Sequence, residues 1–374
     1  MKIVIVGAGI FGASVAYHAA REGADAVLVD REDEGRATQA GAGIVCPWGS
    51  KLDHPADYAL LEGGGRYYPT LVAALAEVGE TDLSYARVGA LFAPDDRAEL
   101  DRVELTIRRR AGNAPEVGHV ERLAPVEARK MFPPLREDLE VLHVSGGARV
   151  NGRKVSAALA RAAAAHGARR ITGAAALIRE GGRVAGVRVG AETFPADAVV
   201  VAAGAWASEL LAPLGVAAGV QPQRGQIVHL RRPGTDTSRW PTIQPINSYY
   251  LLAFEDSRVV VGASREFGSG FDHRLTAAGV SGVLNAGLNT APGLADWTIE
   301  EIRIGFRPLA DDARPVIGRA PGVAGLFIAN GLGPSGLTMG PYAGSLLAQA
   351  VLGRATEIDL AAFDPGRFRV AAGS

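Results

Sequence analysis

Gly7, Gly9 and Gly12 stand in G-x-G-x-x-G spacing, and an acid, Asp30, follows 21 residues after Gly9. Residues of these types at this spacing can bind a dinucleotide. Gly7 permits a tight turn, Gly9 lets a pyrophosphate approach the backbone, and Gly12 lets a helix pack closely on a strand; the acid accepts both ribose hydroxyls of an adenine nucleotide. A carboxylate there also repels a 2′-phosphate, which disfavours NADP. The elements needed to position these groups are readable around them. Residues 2–6 (KIVIV) are β-branched and apolar without alternation, as in a strand buried on both faces of a parallel sheet. Ile10, Ala13, Ala16, Tyr17 and Ala20 share a helical face before Gly23, and residues 26–29 (AVLV) form a second buried strand ending in Asp30. Lys2 and the apolar stretch to Ala20 have the outline of a leader peptide, but the glycine spacing inside it reads as a nucleotide turn.

Two further clusters repeat the pattern of strand, small residues and helix. Residues 199–206 (VVVAAGAW) lead into a helix with Trp206, Leu210, Leu211 and Leu214 on one face; residues 326–340 (LFIANGLGPSGLTMG) lead through a glycine loop into an expected helix at 342–352. Residues 36–45 (RATQAGAGIV) are rich in tiny side chains, as needed where a flat ligand crosses the backbone. The chain holds 48 glycines in 374 residues, where average usage would give roughly 26.

Composition narrows the class. A net charge of −1 lacks the basic surplus of a nucleic-acid binder. Cys46 is the single cysteine, so no intrachain disulfide and no cysteine zinc cage can form, which fits a reducing cytoplasm. No apolar run reaches transmembrane length, and a small-molecule partner is expected. His54, His143 and His229 lack partners at metal or triad spacing and read as structural; Met339 reads as core.

In order along the chain, GAGIFG, Asp30, ATQAGAGIV, VVVAAGAW, QRGQIVHL at 223–230, YLLAFEDSRVVVGAS at 250–264, GFRPLADDARPVIG at 305–318 and GLGPSGLTMGP at 331–341 resemble the D-amino acid oxidase superfamily of FAD-dependent oxidoreductases. The likeness is to its glycine oxidase and bacterial D-amino acid dehydrogenase branch. It implies an α/β fold: an FAD-binding Rossmann-like domain (1–47, 148–220 and 305–374) interleaved with an α+β substrate domain carrying a mixed sheet (48–147 and 221–304). The resemblance places Gly7, Gly9, Ile10, Phe11, Gly12, Asp30 and Arg31 at the ADP half, with Arg36 and Thr38 near the pyrophosphate. Ala42, Gly43 and Ile44 would lie beside the isoalloxazine, Ala174 at the adenine, and Ala203, Gly204 and Trp206 along the cofactor. Gly331, Gly333, Ser335, Gly336, Leu337 and Thr338 would face the pyrimidine edge, where a helix N-terminus stabilises the reduced flavin's negative charge.

For the substrate, the resemblance implies that Arg307, in GFRP, clamps a carboxylate, for which its planar fork is suited, and that Tyr250 reaches the same group. A structural alternative pairs Arg307 with Asp311 or Asp312. Tyr249, beside Tyr250, leaves the tyrosine register open. The loop Gly333-Pro334-Ser335 lacks the arginine that glycine oxidases of this family place there, so only one cationic substrate contact is expected. No lysine follows Lys154, and Cys46 lies outside the segment that carries the covalent flavin cysteine in the sarcosine-oxidase branch; FAD is therefore expected to be non-covalent. The implied reaction is oxidation of an amino acid, a D-amino acid or glycine-like, by hydride transfer from the α-carbon to flavin N5. The resulting imine hydrolyses to a keto acid and ammonia, and oxygen, a quinone or another carrier takes the electrons. Oxidation of a secondary or cyclic amine, and a non-catalytic FAD-binding electron-transfer subunit, are the other readings.

Overall fold

In the computed structural model, which describes residues 1–245 and 249–368, the strand Lys2–Val6 lies inside a six-stranded sheet. The order is Val316–Arg319, Leu326–Asn330, Ala198–Val201, Lys2–Val6, Asp25–Asp30, Arg169–Thr172, parallel except for the antiparallel edge strand Val316–Arg319. Strands buried on both faces need cover on both. On one side Ile3, Ile5 and Leu28 share a core with the helices Ile10–Arg21, Gly152–Ala165 and Gly336–Val351. On the other, Val4, Val6, Val27 and Val29 meet the small antiparallel sheet Ala175–Glu180, Arg183–Val189, Glu192–Pro195.

A second, eight-stranded mixed sheet runs in the order Thr298–Ala310, Val220–Arg231, Arg258–Gly262, Tyr250–Phe254, Thr242–Gln244, Ala90–Phe92, Val141–Val144, Val120–Leu123. Its outer face is covered by helices Pro125–Met131 and Ala277–Thr290, whose apolar residues close a core around Leu251, Val259 and Val261. The paired strands Val220–Arg231 and Thr298–Ala310 tie the two halves together: Val220 and Ala310 sit in the nucleotide-side core, Val228 and Leu230 in the far one. Both run unbroken through the positions at which the sequence divides the two units.

Helix Pro55–Glu77, grouped by sequence with the substrate unit, buries Leu60, Leu61, Tyr68, Leu71 and Leu75 in the nucleotide-side core. Its glycine run makes this possible. A Cβ on Gly64 would stand 2.3 Å from the Thr338 carbonyl oxygen, so only glycine lets this helix close on the start of Gly336–Val351. That last helix begins six residues before the expected 342, with Pro341 inside it. Proline cannot donate to the carbonyl four residues back, which is Leu337's. The Tyr68 hydroxyl donates to that oxygen instead, so the helix tolerates the proline.

Candidate functional site

Between the two sheets lies a cavity of about 620 Å³, within the range of small-molecule and cofactor sites. Its nucleotide end is made by the turn after Lys2–Val6. Gly7 adopts φ +110°, and a Cβ there would meet the Ala202 carbonyl oxygen at 2.3 Å; Gly12 lies beneath the cavity wall, its α-carbon packed against the Gly7 carbonyl. Gly12 is thus the one expected site residue that does not line the cavity, and it serves the close helix–strand packing. Gly7, Gly9, Ile10 and Phe11 line it directly.

Asp30 is buried at the end of its strand and also lines the cavity. Its carboxylate accepts from the Ala8 N–H, from the Glu32 N–H at 2.6 Å and from Arg36 Nη1 at 3.1 Å. Arg31 stands at the rim, paired with Asp33 at 2.7 Å. Thr38 Oγ1 accepts from the Ile10 N–H at 3.0 Å, fixing the 36–45 segment across the helix start. Ala42, Gly43, Ile44, Ala174, Ala203, Gly204 and Trp206 line the middle, and Trp206 stacks on Phe271 with ring centroids 4.9 Å apart. Gly331, Gly333, Ser335, Gly336, Leu337 and Thr338 bring the start of helix Gly336–Val351 to the same wall. Thr338 Oγ1 donates to the Ile44 carbonyl at 2.9 Å.

These residues fit a dinucleotide. Helices Ile10–Arg21 and Gly336–Val351 both start on the cavity wall, and neither N-cap residue supplies a side-chain cap. Their leading N–H groups and positive dipole ends favour phosphate at one and carbonyl oxygen at the other. One buried side-chain nitrogen on the wall, Arg36 Nε, has no partner among the described residues. A buried unsatisfied donor costs about 1–3 kcal/mol, which a ligand oxygen would relieve.

At the other end stand Tyr250, Arg265 and Arg307. Arg307 Nη1 donates to the Ser264 carbonyl at 3.0 Å and to Gln223 Oε1 at 3.3 Å, and its guanidinium is hydrogen-bonded to the Tyr250 hydroxyl. Burial lowers the Arg307 pKa, the Tyr250 oxygen opposes that shift and the Arg265 charge adds to it; no carboxylate contributes. Burial raises the Tyr250 pKa, so its hydroxyl keeps its proton. Asp311 instead accepts from Gln221 at 2.8 Å, and Asp312 pairs with Arg367 at 2.7 Å. The alternative pairing of Arg307 is thereby removed. Tyr249 packs on the opposite side, against the core around helix Ala277–Thr290.

Sequence reasoning missed Arg265, Gln244 and Asn330, which also line the cavity; Asn330 Nδ2 donates to the Gly204 carbonyl at 2.9 Å, tying two strand-end loops together. It also set Cys46 aside, yet Cys46 lines the cavity and its thiol is pushed up to about 12 by burial. His54, His143 and His229 lie off the cavity wall, and no cluster of three metal-ligating side chains occurs among the described residues. No helix among them is long and apolar enough to cross a membrane.

A parallel sheet with a glycine turn and strand-end acid, facing a mixed sheet across one cavity, defines an oxidoreductase of the two-domain flavin type. The model of the family described as DAO, FAD dependent oxidoreductase, matches residues 2–350, and the chain belongs to that family. Its structure is similar to that of iminodiacetate oxidase from Chelativorans sp. BNC1, with a TM-score of 0.94 and 52% identity over 97% of this chain and 98% of that one. The oxidoreductase YurR of Bacillus subtilis is 47% identical over 97% of this chain and 98% of its own. Glycine oxidase of Pseudomonas aeruginosa is 30% identical over 97% and 98%. The chain is an FAD-dependent oxidoreductase acting on C–N donors.

Proposed function

We propose that this enzyme oxidises an amine at the carbon that also bears a carboxylate, with Arg307 and Tyr250 holding that carboxylate. The observation that carries the reading is the mostly buried Arg307 guanidinium, which opens on the cavity with no acid beside it among the described residues. An unpaired buried cation is costly, and a substrate anion supplies the missing charge through two parallel hydrogen bonds. A subunit that only stored FAD would have no use for it. Between a primary and a secondary amine, the secondary amine is favoured, because similarity to iminodiacetate oxidase at 52% identity exceeds that to glycine oxidase at 30%.

FAD bound between Asp30 and the start of helix Gly336–Val351 would supply a two-electron acceptor. Gly7, Gly9 and Arg36 would hold its pyrophosphate side, and Leu337 and Thr338 N–H groups its pyrimidine edge. The protonated Cys46 thiol is a poor nucleophile, which supports FAD held without a covalent bond.

The chain's own part in the reaction is binding and orientation. Arg307 fixes the carboxylate and Tyr250 donates to it. The acids on the wall, Asp30, Asp33 and Glu209, belong to the nucleotide end, and the substrate end offers Tyr250, Cys46, Arg265 and Arg307, where burial keeps the Tyr250 hydroxyl and the Cys46 thiol protonated. No carboxylate or histidine stands there among the described residues, so the substrate reacts as the neutral amine and the site orients it and excludes water. The oxidised product is an imine that water hydrolyses.

The test is anaerobic titration of the purified FAD protein with glycine, D-alanine, sarcosine, iminodiacetate and proline. Bleaching of the visible flavin band by one of them is expected; no response to any overturns the reading. Hydrogen peroxide release in air then separates oxygen from a quinone or protein carrier as acceptor.

A further inference from the structure

We propose that residues 263–276, between strand Arg258–Gly262 and helix Ala277–Thr290, form a clasp that retains FAD, and that Phe271 within them is a positioning residue that holds Trp206 on the cavity wall. Retention of FAD by this loop is independent of what Arg307 binds. Trp206 closes the short turn Gly204–Trp206 after strand Ala198–Val201 of the six-stranded sheet, and it lines the cavity beside Ala203 and Gly204. Its aromatic neighbours among the described residues come from the eight-stranded sheet and the loop that sheet carries. Phe271 stacks on the indole at 14° with centroids 4.9 Å apart, and Phe306 meets it edge-on at 88° and 6.1 Å. Phe271 is half-buried and does not line the cavity, so it acts on a bound cofactor through Trp206.

The loop is tied down at both ends by one buried side chain. Arg224, in strand Val220–Arg231, donates from Nη1 to the Asp272 carbonyl at 3.1 Å and the Arg274 carbonyl at 3.2 Å, and from Nε to the Glu266 carboxylate at 2.9 Å. The Glu266 N–H also donates to the Arg224 carbonyl at 2.9 Å, and the Arg224 N–H to the Glu266 carbonyl at 3.1 Å. Bonds from a guanidinium are stronger than neutral ones, so Phe271 sits one residue from a fixed carbonyl. Phe267 at the other side of the loop is 73% exposed; of the two phenylalanines, Phe271 is the one that docks.

Phe306 completes the bridge. Its ring stands 5.2 Å from that of Phe271 at 75°, and its N–H donates at 2.8 Å to the carbonyl of Gly35, the residue before the wall residue Arg36. Trp206, Phe271 and Phe306 thus join the nucleotide unit to the substrate unit across the cavity edge. For the indole to leave the wall, its stack with Phe271 must break. A stacked pair adds enough to slow that step about two- to twelvefold.

The test is the rate at which FAD leaves the holoenzyme, followed as the rise in flavin fluorescence after dilution, with Tm in saturating FAD measured alongside. Phe271→Ala is expected to release FAD about three- to tenfold faster with Tm near wild type. Phe271→Leu, which keeps most of the volume and loses the stack, should behave as Phe271→Ala does, and Phe271→Tyr, which keeps the flat ring, should match wild type. Because Phe271 acts through Trp206, Trp206→Ala/Phe271→Ala should release FAD no faster than Trp206→Ala alone. Wild-type release from Phe271→Ala or from Phe271→Leu would overturn the proposal, as would effects that multiply in the double variant. Wild-type protein that retains no FAD would overturn it together with the cofactor assignment.

Discussion

The Arg307 guanidinium lies over the α-carbon of Gly225: a Cβ on that glycine would meet Nη2 at 2.6 Å, Nη1 at 2.7 Å and Cζ at 2.8 Å. Gly225 pairs with Gly305 across the two long strands, and Arg307 pairs with Gln223 one step along on the same face. The glycine of the RGQ segment is therefore space for a side chain. Because the obstructed atoms are the free end of a flexible arginine, Gly225→Ala should move the guanidinium and leave the strand pair intact. KM for the amine substrate is expected to rise by about tenfold or more, with bound FAD and Tm near wild type. Unchanged KM would show that the guanidinium position does not matter.

Removing the guanidinium itself tests the clamp directly. Arg307→Ala should cost about 2–4 kcal/mol of substrate capture, roughly 30- to 1,000-fold in kcat/KM. Arg307→Lys should recover little, since a point charge cannot reproduce the planar fork. Tyr250→Phe removes one neutral donor and should cost only about 2- to 12-fold. Steady-state kinetics on the three variants, each with its FAD content measured, checks the order. Equal kinetics for Arg307→Ala and wild type would remove Arg307 from the site.

Stability should fall with acid in a window set by two histidines. Burial lowers His18 to about 4 and, with the charges of Arg303 and Arg258, lowers His229 to about 3, both from 6.5. The unfolded chain therefore binds protons below about pH 6.5 that the folded chain refuses. Their stabilising contribution is complete above pH 6.5 and declines as pH falls toward 4 and 3, by up to about 1.4 kcal/mol per pH unit for each histidine. Between pH 6.5 and 5.5, above the range of about 4 to 4.5 in which carboxylates of the unfolded chain take up protons, this part of the slope is set by histidine protonation. Tm measured across that interval should drop in wild type and drop less in His229→Asn. Parallel slopes would remove His229 as a contributor.

What the sequence made legible was local. A strand buried on both faces, a glycine turn and an acid at fixed distance are set by residues within one βαβ unit, so Gly7, Gly9 and Asp30 could be read directly. Arg265 could not. Its place beside Arg307 depends on pairing of Glu266 with Arg224 and of Arg307 with Gln223, contacts between segments far apart in the chain. Gly64 was likewise hidden, because the Thr338 carbonyl that forbids a side chain there comes from another helix.

Pro341 misplaced the start of the last helix because the group that compensates for it, Tyr68, comes from elsewhere in the chain. Tyr68 is fully buried and donates to the Leu337 carbonyl, the acceptor that Pro341 cannot serve. Tyr68→Phe should leave that oxygen unpaired, at a cost of about 1–3 kcal/mol. It should also loosen the turn that brings Leu337 and Thr338 to the cavity, so that FAD is retained less well on dilution. Pro341→Ala restores an N–H four residues beyond Leu337, and the double variant Tyr68→Phe/Pro341→Ala should therefore recover stability and FAD relative to Tyr68→Phe alone. Urea unfolding and flavin release on the two singles and the double complete the cycle. A strictly additive cycle would mean that Tyr68 and Pro341 are not linked through Leu337.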